Sequence, residues 1–68
     1  MARQKYRVGS KVFRFCCDAS EYSFQLCLPY RQHHDEYVRI RQYDDHSYGV
    51  WHKDKQLWIA IFKVEGVS

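Results

Sequence analysis

Residues 57–64 read Leu-Trp-Ile-Ala-Ile-Phe-Lys-Val, and no extended placement of them leaves a polar face. Successive side chains of a strand point to opposite sides. Leu57, Ile59 and Ile61 then share one side with Lys63, and Trp58, Ala60, Phe62 and Val64 share the other. A strand with one wet face alternates apolar with polar residues, so this segment predicts cover on both sides. Three covers are open: a helix laid across the sheet, closure of the sheet into a small barrel, or another protein surface. Left uncovered, Trp58 and Phe62 would form a patch of the kind that marks an interface. Self-association or docking through that face is therefore expected.

The remaining residues leave little material for a second layer. The chain has 68 residues, which is one domain, 1–68. A domain of this size buries only about 60% of its unfolded surface. Four Phe, two Trp and six Tyr argue against disorder, and three Gly with one Pro leave little room for long loops.

Period-two alternation is the main signal along the rest of the chain. Lys11, Phe13, Phe15 and Cys17 alternate with Val12, Arg14 and Cys16, after a turn at Gly9-Ser10. Tyr22, Phe24, Leu26 and Leu28 alternate with Ser23, Gln25 and Cys27, and Pro29 closes that run. Residues 36–43 form the next strand, with Val38 and Ile40 inward and Tyr37, Arg39, Arg41 and Tyr43 outward. Residues 44–47 read as a turn, 48–52 as a short strand and 53–56 as a hairpin loop. The tail at about 65–68 is expected to fray.

Two segments carry a competing helical reading. Asp18 and Glu21 have the spacing of a capping box, which opens a helix running toward Leu28. Asp54 could likewise cap a helix over residues 55–65 ending at Gly66, although Ile59, Ile61, Phe62 and Val64 favour a strand. The expected fold class is mainly β, a small antiparallel sheet or barrel of about five strands. The alternative is one short helix packed on an antiparallel sheet. The size and strand count resemble small SH3-like barrels, and that resemblance implies a fold without choosing among peptide, RNA and protein ligands.

Charge is unevenly placed. Residues 1–14 hold Arg3, Lys5, Arg7, Lys11 and Arg14 and no acid, while the rest of the chain holds the other six basic residues and all eight acids. A basic N-terminal arm, about residues 1–10, is thus expected on a near-neutral body. No apolar run follows Met1-Ala2-Arg3-Gln4-Lys5, and no window is long and apolar enough to span a membrane. Cys16, Cys17 and Cys27 are expected to be reduced thiols in the cytoplasm.

No catalytic motif is present. There is no Gly-rich phosphate loop, no nucleophile elbow and no His-Glu-x-x-His. A zinc site would have to be assembled from scattered residues such as Cys17, Cys27 and His33, so no metal and no cofactor are expected. Asp35-Glu36 and Asp44-Asp45 read as solvated acids. Two binding readings remain. The first is a non-catalytic regulator or inhibitor that docks onto a protein, as a monomer or homodimer, through Tyr37, Arg39, Arg41, Tyr43, Trp51, Trp58 and Phe62. The second binds single-stranded nucleic acid with Arg39 and Arg41 and the basic arm, Arg3, Lys5, Arg7, Lys11 and Arg14.

Overall fold

A computed structural model describes residues 4–32 and 36–67. The chain forms β1 (Lys5–Val8), β2 (Lys11–Phe13), α1 (Cys16–Gln32), β3 (Val38–Gln42), β4 (Tyr48–His52), β5 (Leu57–Phe62) and β6 (Val64–Val67). The strands make two antiparallel three-stranded sheets, ordered β2-β1-β6 and β3-β4-β5. The helix contacts all six strands. The fold is mainly β with one helix packed on it, so the helix-on-sheet version of the sequence reading holds.

The first sheet grows from a tight hairpin. Gly9 takes a φ of 61°, and Val8 pairs with Lys11 across the turn. A two-residue hairpin loop with positive φ at its first position favours glycine there. β1 then pairs along its other edge with β6, Lys5 opposite Val67 and Val8 opposite Val64. Residues 5–8 are therefore a central strand rather than a free basic arm. Residues 65–67 are an ordered strand rather than a frayed tail.

Only Lys63 separates β5 from β6, so one run of chain serves both sheets. The backbone groups on either side of this joint are bonded by two buried serines. Ser23 on α1 donates its hydroxyl to the Phe62 carbonyl and accepts from the Tyr48 N–H at 2.9 Å. Ser47 accepts from the Val64 N–H at 2.7 Å. Both serines are fully buried. An unpaired backbone group in that position would cost roughly 1–3 kcal/mol.

The helix replaces two expected strand segments. Residues 16–17 and 22–28 are helical, and β2 stops at Phe13. Ala19, Ser23 and Cys27 recur at helical spacing and are all fully buried against the sheets. Their small side chains let the helix axis approach closely, while Tyr22, Leu26 and Tyr30 flank them half-buried. Asp18 lies in the first turn, where a carboxylate suits the helix dipole. Pro29 lies inside the helix, three residues from its end. It removes one late hydrogen bond there without breaking a long helical run. The second helical alternative, over 55–65, is not realised; those residues are β5 and the start of β6.

The core is small. Cys27, Val38 and Val50 form its centre, ringed by Tyr30, Ile40, Tyr48 and Phe62. Val8 and Ala19 are the buried apolar pair toward the other sheet. Val38 and Ile40 point inward as expected. The molecule measures 47 × 19 × 17 Å, because the two sheets follow one another along the β5–β6 run.

Candidate functional site

The sheet β3-β4-β5 has one side on the helix and one side away from it. Val50 is completely buried against the core, so its neighbours Trp51 and Gly49 face outward. Arg41 pairs with Gly49 and Arg39 with Trp51, which places both guanidiniums on the outer side. Tyr37, Arg39, Arg41 and Tyr43 are all exposed.

A bulge decides which β5 residues join them. Val50 pairs with Ala60 but Trp51 pairs with Trp58, leaving Ile59 as the extra residue. The bulge reverses the facing of the strand between its halves. Trp58 therefore turns outward, while Phe62 turns toward the helix and packs on Tyr30 with ring centres 6.1 Å apart. Trp58 and Phe62 do not share a face, which corrects the expected patch. Phe62 belongs to the rim of the core.

Trp58 instead joins a continuous outer array. Its ring meets Trp51 edge-on at 5.1 Å and Tyr43 edge-on at 5.5 Å. The Arg41 guanidinium lies 5.0 Å from the centre of Trp51. Gly49 makes this possible, since a Cβ there would come within 2.9 Å of the Trp58 ring and 2.8 Å of the Ala60 carbonyl. Arg39 donates to its own strand end, to the carbonyls of Glu36 and Val38. Tyr37 is apart from the array and stacks on His52 at 6.2 Å. Four of the seven expected docking residues, Arg41, Tyr43, Trp51 and Trp58, are thus in mutual contact. Among the described residues, no carboxylate stands within salt-bridge distance of Arg39 or Arg41.

The basic residues occupy the other sheet. Arg7 pairs with Glu65 at 3.1 Å. The Lys11 ammonium sits over the Phe13 and Tyr22 rings, 5.6 and 5.0 Å from their centres. Lys5 and Arg14 are exposed, and Arg3 lies outside the described residues. They do not converge on the Arg41–Trp51–Trp58–Tyr43 array.

The 44–47 turn borders the array. The Asp44 carboxylate accepts from the backbone N–H groups of His46 and Ser47, at 3.0 and 2.8 Å. Burial alone would raise its pKa, but the Ser47 hydroxyl, those two N–H bonds and the Lys63 charge together hold it below the ordinary carboxylate value.

The thiols do not gather. Cys17 is exposed at the start of the helix and Cys27 is buried near its far end. Ten residues of helix separate them by about 15 Å, too far to share an ion. Burial pushes the Cys27 thiol up to about 11. His33, the third residue that a scattered zinc site would have needed, lies outside the described residues. No helix among the described residues is long and apolar enough to cross a membrane.

Comparison with protein-family models, with curated proteins and with solved structures returned no match.

Proposed function

We propose that the chain is a non-catalytic binding domain, a small regulator or inhibitor that docks onto a protein through the outer side of β3-β4-β5. The observation that carries this reading is the Arg41–Trp51–Trp58–Tyr43 array. Rigid aromatic rings with an interleaved guanidinium are the residue types that dominate protein interfaces, because they supply large contact area at low entropic cost. The array is held in place from below by Gly49 and from the side by the Asp44 turn. Arg39 and Arg41 extend its rim with charge that forms no ion pair among the described residues.

The single-stranded nucleic-acid reading draws less support. Its cations are divided between two sheets, and Arg7 and Lys11 already have partners. The rings of the array meet edge-on, which leaves less open ring face for base stacking. Asp44 and Asp45 stand beside Tyr43 and repel phosphate.

The test is capture of a partner from cell extract by the tagged chain, followed by affinity measurement with variants. Arg41→Ala or Trp51→Ala is expected to weaken the captured complex roughly tenfold or more, the behaviour of a hot-spot residue. Lys5→Ala is expected to leave it unchanged. Equal affinity for all three variants would exclude the outer face. Binding of a fluorescent oligonucleotide at low salt, lost steeply as salt rises and weakened by Arg39→Ala, would replace the protein reading with the nucleic-acid one.

A further inference from the structure

A second recess lies between β2 and α1, on the sheet that does not carry the array. Lys11 and Phe13 are alternate residues of β2 and so share one side of it. Asp18, Glu21, Tyr22 and Gln25 recur at helical spacing along α1 and so form one stripe. The two sets face each other across an open groove of about 320 Å³. Its walls differ in chemistry: two aromatic rings lie at its corner and two carboxylates at its rim.

The molecule itself shows which chemical group the corner holds. The Phe13 and Tyr22 rings stand 5.2 Å apart, tilted by 47°. The Lys11 ammonium lies over both, 5.0 Å from the centre of Tyr22 and 5.6 Å from that of Phe13. The negative face of an aromatic ring attracts a cation within about 6 Å. Asp18 and Glu21 are exposed beside it, and neither forms an ion pair among the described residues, with Lys11 or any other cation. Their side-chain contacts are with neutral donors, the Cys17 thiol at 4.0 Å and the Gln25 amide at 3.5 Å. Two carboxylates against one ammonium leave the groove with a negative charge in excess. Lys11 is exposed on a flexible stem, so water is open to it as an alternative. An ammonium from outside exchanges one cation–π contact for an equal one and adds carboxylate hydrogen bonds that Lys11 does not make. We propose that this groove binds a lysine side chain presented by a partner protein, whose ammonium takes the Phe13–Tyr22 corner from Lys11 and donates to Asp18 and Glu21.

The groove belongs to the other sheet from the Arg41–Trp51–Trp58–Tyr43 array, so it stands or falls separately from the docking reading. Its charge is also opposite, since the array carries guanidiniums and the groove carboxylates. Lys11 acts here as a built-in occupant that any external ammonium must displace. Removing it therefore strengthens binding, whereas removing a residue that merely supports the fold does not. One charged side chain on an open groove binds weakly, with a dissociation constant of about 1 mM, within reach of a titration followed by nuclear magnetic resonance.

The probe is the peptide acetyl-Gly-Lys-Gly-amide, titrated at low salt into the isotope-labelled full chain. Saturable shifts are expected at the ring signals of Phe13 and Tyr22. The same peptide acetylated on its lysine, which keeps the stem and loses the charge, should not bind. Lys11→Ala should tighten binding about threefold by emptying the corner, and Tyr22→Leu should weaken it about fivefold. Should Tyr22→Leu fail to fold by circular dichroism, the double variant Asp18→Asn with Glu21→Gln, at two exposed positions, should weaken binding about threefold. Glu65→Gln, which removes a carboxylate elsewhere on the same sheet, and Trp51→Ala, which breaks the array, should leave it unchanged. The proposal would be overturned by the absence of saturable shifts at Phe13 and Tyr22 up to about 10 mM peptide, by equal binding of the acetylated peptide, or by an affinity that Lys11→Ala leaves unchanged or lowers.

Discussion

The two sheets share one helix but not one environment. In β3-β4-β5, Val38 and Val50 are buried, Ile40 and Phe62 ring them, and the outer side carries the tryptophan array. In β2-β1-β6, Val8 is the one fully buried residue, and the exposed positions are mostly charged. The same helix produces both results because its buried stripe changes partner along its length. Ala19 accompanies the thinner sheet, and Cys27 and Tyr30 pack in the thicker core. The first sheet therefore depends on its connections more than on its own burial. Those connections are the β1–β6 ladder and the serine-bonded joint around Lys63. Stability in a molecule this small is concentrated in one half and transmitted through a joint.

Breaking that joint should have the largest effect. Ser23→Ala removes the hydroxyl that serves both the Phe62 carbonyl and the Tyr48 N–H, leaving two buried backbone groups with less than their full complement. A loss of about 2–3 kcal/mol is expected, measured as a lower urea midpoint. Amide hydrogen exchange sharpens the point. In the unaltered chain, amides of β4 should be better protected than those of β2, and Ser23→Ala should widen the gap by releasing β6. Uniform protection across both sheets would show that the joint does not limit the first sheet.

The array supplies the next test, confined to the thicker sheet. Gly49→Ala places a methyl group against the Trp58 ring and a backbone carbonyl that cannot yield easily. Overpacking of this kind costs about 1–3 kcal/mol. Tryptophan fluorescence should shift to the red as Trp58 is pushed into solvent, while exchange in β1 and β2 stays unchanged. A stable variant with unaltered fluorescence would mean that Trp58 does not rest on Gly49.

These two glycine and serine positions also mark where the sequence could and could not be read. The inward set Val38 and Ile40, the 44–47 turn and the 48–52 strand follow from alternation and Asp/Ser turn chemistry, and all are observed. The demand that something cover β5 was also legible, and the helix meets it on one side. The helix itself was obscured because its buried stripe is Ala19, Ser23 and Cys27. Small residues give a weak apolar signal, while Tyr22, Phe24, Leu26 and Leu28 mimic a strand. β1 and β6 were missed because their side chains are mostly charged or exposed, and a hydrogen-bonded ladder leaves little mark in such a pattern. In the site, Arg41 and Tyr43 were placed on the correct side by alternation alone, while no side was assigned to Trp51. Trp58 and Phe62 were not separated, since one bulged residue, Ile59, inverts the parity. A bulge is set by the register against β4, which no local pattern in β5 records.

A smaller effect should come from pH, again differing between the halves. Asp44 is held below its ordinary value of 3.8 in the folded chain. The folded state therefore binds this proton less readily than the unfolded one. Its contribution is present above about pH 4 and is lost as pH falls through the folded value. Asp44→Asn should flatten the acid limb of a stability–pH profile. At the other extreme, burial raises Cys27 from 9.0 to about 11. The stabilising neutral thiol is retained below pH 9 and opposed by deprotonation as pH rises toward 11, so Cys27→Ser should alter the alkaline limb. Both residues serve the thicker sheet. An acid limb identical in the Asp44→Asn variant would place the controlling carboxylate elsewhere.

The smallest effect is expected where the charge is most visible. Arg7 and Glu65 face one another across the β1–β6 ladder at 3.1 Å, with side chains 47% and 52% exposed. Water and salt screen a pair this open, and such pairs contribute about 0–1 kcal/mol. The backbone ladder beneath it, together with the buried Val8 between its strands and the helix, carries the attachment of β6. Glu65→Gln should therefore change the urea midpoint only slightly, and the change should vanish in high salt. Val8→Ala, in the same strand and one residue from Arg7, should cost several times more because it opens space in the one buried position of that sheet. A Glu65→Gln variant as damaging as Val8→Ala would reverse the ranking, making the thinner sheet one held by charge rather than by its few buried atoms.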